Sequence, residues 1–421
     1  MRITFCHNET EYLCDAQSVF LRRLMPALRA LGHEPRLLLI APRDPSVCSL
    51  AAFCREHGIE FAATHSRGSM GNNVRWCLRQ LATNPPDVFV AHHCYWALYA
   101  SPWLREAGIP SVVVLHSDDA PTKRLIDVFC HADSPVRVSG AVAVSDVIQA
   151  QALACHAGLP VASIPCGVPT PDAPITRPGV GLRIAYFGRI VQEQKRILDL
   201  GRAFARVARE LPAVECHIWG SGAEDAALAR LLADEPGGER VQCHAAIPAD
   251  EVYDRLREHE VLVLLSDYEG TPTSVMEGMA NGLVPVVTDI GGGTRALVEH
   301  GVTGLVVRDR GDDFVRAIAG LAADRELWSR LSTAAAQRIR SRFSVGRTAE
   351  LWSEFAATLA PAPGRRTAIR VPGPVDIPER WRIAGPHYFN RVSDVVAGLY
   401  ADARHAAHRA TARREEGVAR W

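Results

Sequence analysis

Short apolar runs alternate with stretches of helical periodicity along the first part of the chain. Val, Ile and Leu dominate the runs, and segments with apolar side chains at every third or fourth position separate them. Parallel strands that are covered by helices on both faces have this pattern. The predicted strands are Ile3–Cys6, Arg36–Ile40, Asp87–Ala91, Ser111–Leu115 and Gly140–Val144, and two predicted helices are Ala16–Leu31 and Val74–Leu81.

A proline-rich break interrupts this alternation after residue 167. Four prolines fall between Val168 and Gly179. Proline fixes its φ angle and donates no backbone hydrogen bond, so this segment is predicted to be a linker between domains. The alternation then resumes and predicts a second domain of the same kind. Its predicted strands are Leu182–Phe187, Val214–Trp219, Val261–Leu265, Val284–Val287 and Leu305–Val307.

The whole pattern predicts an α/β protein with two doubly wound parallel sheets. We expect an N-terminal Rossmann-like domain over residues 1–167, a linker over 168–180 and a C-terminal Rossmann-like domain over 181–345. Segment 346–360 and extension 361–421 follow a different pattern.

The amphipathic helix Thr348–Leu359 occupies most of segment 346–360. Extension 361–421 begins with a stretch rich in Pro, Gly and Arg and continues as a helical pattern from Tyr388 to about Glu416. An apolar stripe at helical spacing needs a surface that covers it. We therefore expect the later helix to pack on the N-terminal domain or to form a homodimer contact.

Composition and charge narrow the class of protein. The 421 residues are 48% apolar and 22% charged, and Lys plus Arg equals Asp plus Glu at 47 each. This is the composition of a soluble enzyme, without a basic surface for nucleic acid. The N-terminal apolar run is too short for a signal peptide, and none approaches the roughly 18 residues that span a bilayer. Eleven cysteines without a Cys-x-x-Cys pair predict free thiols in a reducing cytoplasm.

Polar residues that could carry chemistry follow the predicted strands, which is where ligands bind in doubly wound sheets. His116 follows a strand of the first half, and Arg189 and Glu269 follow strands of the second half. Behind Glu269, Thr271 is predicted to be a helix N-cap and Pro272 the first helical residue. The amino terminus of such a helix binds anions and hydroxyl groups through its backbone N–H groups.

A carboxylate and two cations near these positions suit a nucleotide. Glu277 falls among apolar residues of the helix and needs a partner, for which vicinal ribose hydroxyls are suitable. A solvated helix face explains its spacing equally well. Gly188 lets the backbone turn at a strand end, and Arg189 and Lys195 then supply the charge that a diphosphate requires. Basic loop residues are more commonly just solvated, so this pattern alone is weak.

In their order along the chain, these motifs resemble the retaining family-four glycosyltransferases. The resemblance covers roughly residues 1–345 and implies the GT-B fold, in which two Rossmann-like domains face each other across a cleft. It also implies that a late helix in segment 346–360 crosses back onto the N-terminal domain, and Thr348–Leu359 is the candidate. The C-terminal landmarks are Arg189 with Lys195, Glu269-x7-Glu277, Pro285-Val286-Val287 before a Gly-Gly pair, and Gly301-x-x-Gly304. The N-terminal landmarks are Val114-Leu115-His116, Ala143-Val144-Ser145 and Ile164-Pro165-Cys166-Gly167-Val168.

The resemblance implies a role for each matching residue. The position of Glu277 binds the nucleotide ribose, that of Glu269 contacts the donor sugar, and that of His116 faces this sugar in the cleft. The implied catalytic residues are Glu269, His116, Arg189 and Lys195. The implied donor-binding residues are Gly188, Arg189, Lys195, Gly270, Thr271, Pro272, Thr273 and Glu277.

The implied reaction needs no cofactor and no metal ion. A nucleotide sugar is the donor substrate, and the acceptor is a sugar, a lipid-linked molecule or a small molecule. Arg189 and Lys195 neutralise the diphosphate leaving group. The implied location is the cytoplasm, with the inner face of the membrane as a candidate surface for lipid-linked acceptors.

Three positions depart from the family pattern. The loop His7–Tyr12 lacks the usual Gly-Gly pair, Cys243-His244-Ala245-Ala246 replaces a glycine-rich strand end near the base, and Pro272 replaces a common glycine. The first departure leaves the role of the N-terminal loop open, and the second leaves the identity of the base open.

Alternative interpretations remain for several motifs. Gly220-Ser221-Gly222 is half of a dinucleotide fingerprint, but a tight turn into a helix explains it better. His92-His93 could bind a metal, but without further ligands at suitable spacing a cleft-lining or structural role is favoured. Arg22, Arg23 and Arg29 give the first helix a basic face for an anionic membrane, although a core-covering helix is favoured. A nucleotide-sugar epimerase or phosphorylase, and a catalytically silent binding protein, are the rival functions.

Overall fold

The structure is a computed structural model that describes residues 1–9, 16–41, 48–65, 69–92, 94–171, 181–248, 251–360, 366–375 and 381. Within these ranges, two parallel sheets form the framework. The seven strands of the first sheet are β1 (Arg2–Asn8), β2 (Glu34–Ala41), β3 (Glu60–His65), β4 (Val88–His92), β5 (Ser111–Leu115), β6 (Gly140–Ala143) and β7 (Val161–Ser163). The six strands of the second sheet are β8 (Leu182–Phe187), β9 (Val214–Trp219), β10 (Val241–His244), β11 (Val261–Leu264), β12 (Val284–Thr288) and β13 (Leu305–Val307).

Helices cover both faces of the two sheets, as in a doubly wound fold. In the first half they are α1 (Ala16–Ala30), α2 (Ser49–Glu56), α3 (Met70–Thr83), α4 (Ser101–Glu106), α5 (Ala120–Leu125) and α6 (Asp146–Cys155). In the second half they are α7 (Gln192–Lys195), α8 (Ile197–Glu210), α9 (Asp225–Asp234), α10 (Val252–Leu256), α11 (Thr273–Ala280), α12 (Gly292–Leu297), α13 (Asp312–Ala323), α14 (Arg325–Arg342) and α15 (Val345–Leu359). The predicted fold class is confirmed.

The strand orders are β3-β2-β1-β4-β5-β6-β7 and β10-β9-β8-β11-β12-β13. The order therefore reverses between β1 and β4 and between β8 and β11, and ligands bind beside the carboxyl ends of strands at such switch points. His7 is level with His92 at the first switch point. Gly188 follows β8 and Ser266 follows β11 at the second.

The sequence did not predict β3, β7 and β10. Each of these strands lies at the edge of its sheet and pairs with a single neighbour. Strands β4 and β5 are buried along their whole length, whereas β3 is only partly buried. A buried internal strand needs a continuous apolar run, but an edge strand does not. These three strands therefore lack the signal that revealed the others, which include the more deeply buried edge strand β13.

Helix α15 returns from the second domain and completes the core of the first. Trp352 is 1% exposed, and its ring meets Phe5 of β1 edge-on at 5.9 Å between centroids. Phe355 also faces β6, where a Cβ on Gly140 would lie 3.0 Å from its ring. The chain thus crosses between the domains a second time, at the helix that the sequence predicts as Thr348–Leu359.

Residues 366–375 form a strap along the first domain. Ile369 is buried in that domain's core, and the Thr367 backbone N–H donates to the Ala107 carbonyl at 3.1 Å. Arg366 forms an ion pair with Asp87. The predicted helix from Tyr388 to about Glu416 lies outside the described residues, as do residues 172–180 of the predicted linker.

The described cysteines are all free thiols, as predicted. Among the described helices, none is both long and apolar enough to span a membrane.

Candidate active site

Lys195 and Glu269 form a buried ion pair at the switch point of the second sheet. The Lys195 Nζ lies 2.5 Å from Glu269 Oε1, and the two side chains are 13% and 7% exposed. Lys195 ends α7, and Glu269 lies in the loop between β11 and α11. A charged side chain that is so deeply buried needs an oppositely charged partner. Lys195 and Glu269 are each other's partner. The sequence predicted both residues but not that they form a pair.

Gln194 joins the loop that carries the cations to the loop that carries Glu269. Its side-chain amide donates to the Tyr268 carbonyl at 3.1 Å and to Glu269 Oε2 at 3.4 Å. Its Oε1 accepts from Arg189 Nη2 at 2.7 Å. Arg189 is exposed, and this bond holds it beside the Lys195–Glu269 pair. Sequence reasoning missed Gln194, which is neutral and belongs to none of the motifs.

Tyr186 fixes the turn that carries Arg189. Its hydroxyl donates to the Arg189 carbonyl at 2.7 Å. Burial raises the pKa of Tyr186, and the nearby charge of Glu269 raises it further. The phenol therefore stays protonated and keeps donating at neutral pH. A Cβ on Gly188 would lie 2.6 Å from the Tyr186 hydroxyl, so this turn needs glycine.

The loop after Glu269 is enclosed between the two domains. A Cβ on Gly270 would lie 2.3 Å from the His116 carbonyl oxygen of the first domain. On the other side, a Cβ on Gly293 would lie 2.0 Å from the Gly270 carbonyl oxygen. Real side chains do not approach backbone atoms so closely, so the cleft closes around this loop only because both positions are glycine.

The predicted start of α11 is wrong by one residue. Thr271 is not the N-cap, because its hydroxyl donates across the cleft to the Val144 carbonyl at 2.8 Å. Pro272 takes the N-cap position with an extended backbone, and the helix begins at Thr273. The amino terminus of α11 still follows Glu269 in the chain. The first backbone N–H groups of a helix have no acceptor within the helix.

Glu277 is paired with Arg23 of α1, across the cleft. Arg23 Nη2 lies 2.5 Å from Glu277 Oε1, and each side chain is 12% exposed. The interpretation of Glu277 as part of a solvated helix face is therefore wrong, and the expectation that it needs a partner is confirmed. Leu21 and Leu24 of α1 are buried, which confirms α1 as a core-covering helix.

His7, His92 and His116 come together at the ends of β1, β4 and β5. His7 Nδ1 lies 3.0 Å from the His92 carbonyl oxygen, and the His92 and His116 rings are perpendicular with centroids 4.8 Å apart. Phe20 stacks on His92 at 5.0 Å. His92 thus has the structural role that the sequence favours, whereas His93 lies outside the described residues.

His7 is fully buried in β1, where its Nε2 lies 3.1 Å from the Ser18 hydroxyl oxygen of α1. No group of three or more side chains that could hold a metal ion occurs in the described part of the chain.

The departure at Cys243–Ala246 places a histidine next to a tryptophan. His244 stacks on Trp219 with ring centroids 3.9 Å apart, and its Nε2 lies 3.1 Å from His217 Nδ1. Burial lowers the pKa of both histidines, so they are neutral near pH 7. Gly220 belongs to a tight turn, since a Cβ there would lie 1.9 Å from the Gly188 carbonyl oxygen. The turn interpretation of Gly220-Ser221-Gly222 is thus supported by packing.

Two Rossmann-like domains that face each other across a cleft are the architecture of the GT-B class of folds. Family models match both halves of the chain: "Glycosyltransferase Family 4" over residues 17–171 and "Glycosyl transferases group 1" over residues 181–324. The chain belongs to this family of glycosyltransferases.

Two curated relatives match parts of the chain. One is the GtfA subunit of a UDP-N-acetylglucosamine–peptide N-acetylglucosaminyltransferase of Streptococcus parasanguinis. It is 27% identical over 168 residues, which are 38% of this chain and 33% of that protein. The lipopolysaccharide 1,6-galactosyltransferase of Salmonella typhimurium is 32% identical over 162 residues, which are 36% of this chain and 43% of that protein. The matches thus span less than half of each relative.

Solved structures share the fold over most of the chain. HepE of Anabaena in complex with UDP superposes with a TM-score of 0.68 at 17% identity, covering 85% of this chain and 100% of that one. Pneumococcal GtfA in complex with UDP and GlcNAc superposes with a TM-score of 0.69 at 13% identity, covering 85% and 99%.

Proposed function

We propose that the protein transfers a sugar from a nucleoside-diphosphate sugar to an acceptor, with retention of the anomeric configuration and without a metal ion. The observation that carries the proposal is the Lys195–Glu269 ion pair, 2.5 Å long and largely buried, beside Arg189 at a switch point. Family membership supports it, and so do the UDP complexes of similar structures.

The donor's parts find complementary groups along α11. The ribose binds at Glu277, and the diphosphate binds near Arg189, Lys195 and the amino terminus of α11. Gly270 and Thr271 line the path of the donor sugar, with His116 on the opposite wall. Cations and a helix amino terminus directed at one site suit a diphosphate.

Breaking the glycosidic bond places negative charge on the departing diphosphate. Preorganised positive groups stabilise this charge most in a cleft that excludes water. Before donor binding, Glu269 neutralises Lys195, whereas Arg189 contacts the neutral side chain of Gln194. When a donor is bound, Lys195 turns toward the diphosphate and Glu269 toward the sugar.

The acceptor is a sugar, a lipid-linked molecule or a small molecule of glycan, polysaccharide or glycoconjugate biosynthesis. The name of the Salmonella relative supports a saccharide acceptor. We place the enzyme in the cytoplasm, where its thiols remain reduced, with contact to the inner face of the membrane when the acceptor is lipid-linked. Extension 361–421 is the candidate contact for a homodimer.

A panel of UDP, GDP, ADP and TDP in a thermal unfolding assay tests this proposal. A nucleotide at 100 times its dissociation constant stabilises the folded state by about 2.7 kcal/mol. We expect one of the four to raise the unfolding midpoint of the wild type, and the Glu277→Ala variant to need a higher concentration for the same shift. The absence of any shift with all four nucleotides would contradict a nucleotide-sugar donor.

A further inference from the structure

Arg23 belongs to the first domain, and its side chain reaches the predicted ribose site of the second domain. It lies in α1, and its guanidinium meets the Glu277 carboxylate at 2.5 Å, 254 positions away in the chain. Both side chains are only 12% exposed. None of the recognised motifs includes Arg23, and the sequence suggested for it only a basic surface of the first helix.

We propose that Arg23 is a positioning residue of the donor site, which orients Glu277 for the ribose and links donor binding to closure of the cleft. This inference rests on the proposed function, because it assigns the ribose to Glu277.

The contact between Arg23 and Glu277 leaves hydrogen-bonding positions of both groups unused. A guanidinium has five N–H donors and a carboxylate about four acceptor positions. The contact uses Nη2 of Arg23 and Oε1 of Glu277. Glu277 therefore keeps acceptor positions for ribose hydroxyls while Arg23 fixes its orientation. A preorganised carboxylate loses less rotational freedom when the nucleotide binds.

A second residue of the C-terminal domain also holds Arg23. The Tyr253 ring centre of α10 lies 6.0 Å from the Arg23 guanidinium carbon, within the range of a cation–π contact. The Tyr253 hydroxyl donates to the Pro169 carbonyl, at the start of the predicted linker, at 3.3 Å. The guanidinium thus lies between two groups of the opposite domain.

These contacts connect the ribose site to the position of the domains. Buried Leu21 and Leu24 hold α1 in the core of the first domain, so Arg23 cannot follow Glu277 if the cleft opens. Opening would separate the two charges and expose both to water, so Glu277 would lose the contact that orients it. A nucleotide that needs an oriented Glu277 therefore binds better to the closed form than to the open form.

The experiment measures UDP binding by isothermal titration calorimetry, or binding of GDP, ADP or TDP if the panel favours one of them. The variants are Arg23→Ala, Arg23→Lys, Glu277→Ala and the Arg23→Ala/Glu277→Ala double variant. Arg22→Ala is the matched control, since it removes the same charge from the neighbouring position, where the side chain lies over Phe53 instead. Thermal unfolding without nucleotide shows whether each variant is folded.

We expect Arg23→Ala to raise the dissociation constant about tenfold, which is about 1.4 kcal/mol. Arg23→Lys should recover part of the loss, and Arg22→Ala should bind as the wild type does. Because Arg23 acts through Glu277, adding Arg23→Ala to Glu277→Ala should cause much less than a further tenfold loss.

Unchanged or tighter binding by folded Arg23→Ala would overturn the inference while leaving the proposed function intact. An equal loss in the presence and absence of Glu277 would also overturn it, because Arg23 would then act independently. If the wild type binds none of the four nucleotides, the proposed function fails, and the role of Arg23 fails with it.

Discussion

Glu269 and Glu277 belong to one motif, but their surroundings differ. Glu269 is paired within its own domain with Lys195, whereas Glu277 is paired across the cleft with Arg23. The first arrangement suits a group that exchanges partners during a reaction, and the second suits a group that holds a substrate in place. The two residues should therefore fail in different ways when they are mutated.

Glu277→Ala should weaken nucleotide binding. The substitution removes the acceptor for the ribose hydroxyls and leaves Arg23 unpaired, and an unsatisfied buried partner costs about 1–3 kcal/mol. Titration calorimetry with the best nucleotide of the panel measures this loss. Glu299→Ala is the control, because its carboxylate is 57% exposed and pairs with Arg338 away from the motif. Equal affinity of Glu277→Ala and wild type would remove Glu277 from the ribose site.

Glu269→Ala should abolish sugar transfer while the nucleotide still binds. We assign the Glu269 carboxylate to the donor sugar and to Lys195. Because the ribose is assigned to Glu277 instead, the loss of Glu269 should leave nucleotide binding intact. Turnover with the donor sugar and affinity for the free nucleotide are the two measurements. Glu215→Ala removes an exposed carboxylate that pairs with Arg183 and should leave both unchanged. Normal turnover by Glu269→Ala would contradict its assignment.

At the scale of elements, the sequence predicted the internal strands well because a buried parallel strand leaves a continuous apolar run. It missed the edge strands β3, β7 and β10, and it placed the N-cap of α11 at Thr271, one residue too early. The local rule for a helix N-cap was sound, but the Thr271 hydroxyl bonds to Val144 in the other domain. A contact between residues so far apart in the chain leaves no local signal, and the same holds for Arg23 and Glu277.

The loop between β11 and α11 yields a prediction about closure. Gly270→Ala would place a Cβ 2.3 Å from the His116 carbonyl oxygen, so the loop or the domains must shift. Displacement of about 1 Å in an active site can cost about a hundredfold in rate, and we expect a loss of that order in turnover. Circular dichroism should show a folded protein.

Gly320→Ala in α13 is the matched control for this substitution. No atom lies within 4 Å of a Cβ built there, and alanine favours a helix over glycine by about 1 kcal/mol. Its turnover should equal that of the wild type. Full activity of Gly270→Ala would show that the cleft does not need to close on this loop.

At the scale of the whole molecule, the order of motifs predicted two facing domains, and both the structure and the family models agree. The strap at residues 366–375 could not be predicted, because Pro, Gly and Arg dominate the neighbouring sequence. Ile369 is buried, and Val371 and Val375 pack on the same core from partly exposed positions. The surface on which Ile369 packs is formed by helices and strands that are far from it in the sequence.

Truncation of the chain tests whether the strap at residues 366–375 stabilises the first domain. A chain that ends at Ala360 loses Ile369, and full burial of such a side chain is worth about 1.5–3 kcal/mol. It also loses the Arg366–Asp87 ion pair. We expect calorimetry to show a lower unfolding midpoint than for a chain that ends at Trp381, which keeps the strap. Equal midpoints would mean that the strap contributes nothing to the stability of the first domain.

The central claim is metal-independent sugar transfer with retention, driven by the cations beside Glu269. The most direct measurement follows the best donor sugar by proton NMR in the presence of EDTA, with water or a simple sugar as acceptor. We predict that the wild type turns over, that the first product keeps the donor's anomeric configuration, and that Lys195→Ala is slower by about a hundredfold or more, as when one preorganised donor is lost. An inverted first product, activity that EDTA abolishes and magnesium or manganese restores, or full activity of Lys195→Ala would contradict the account.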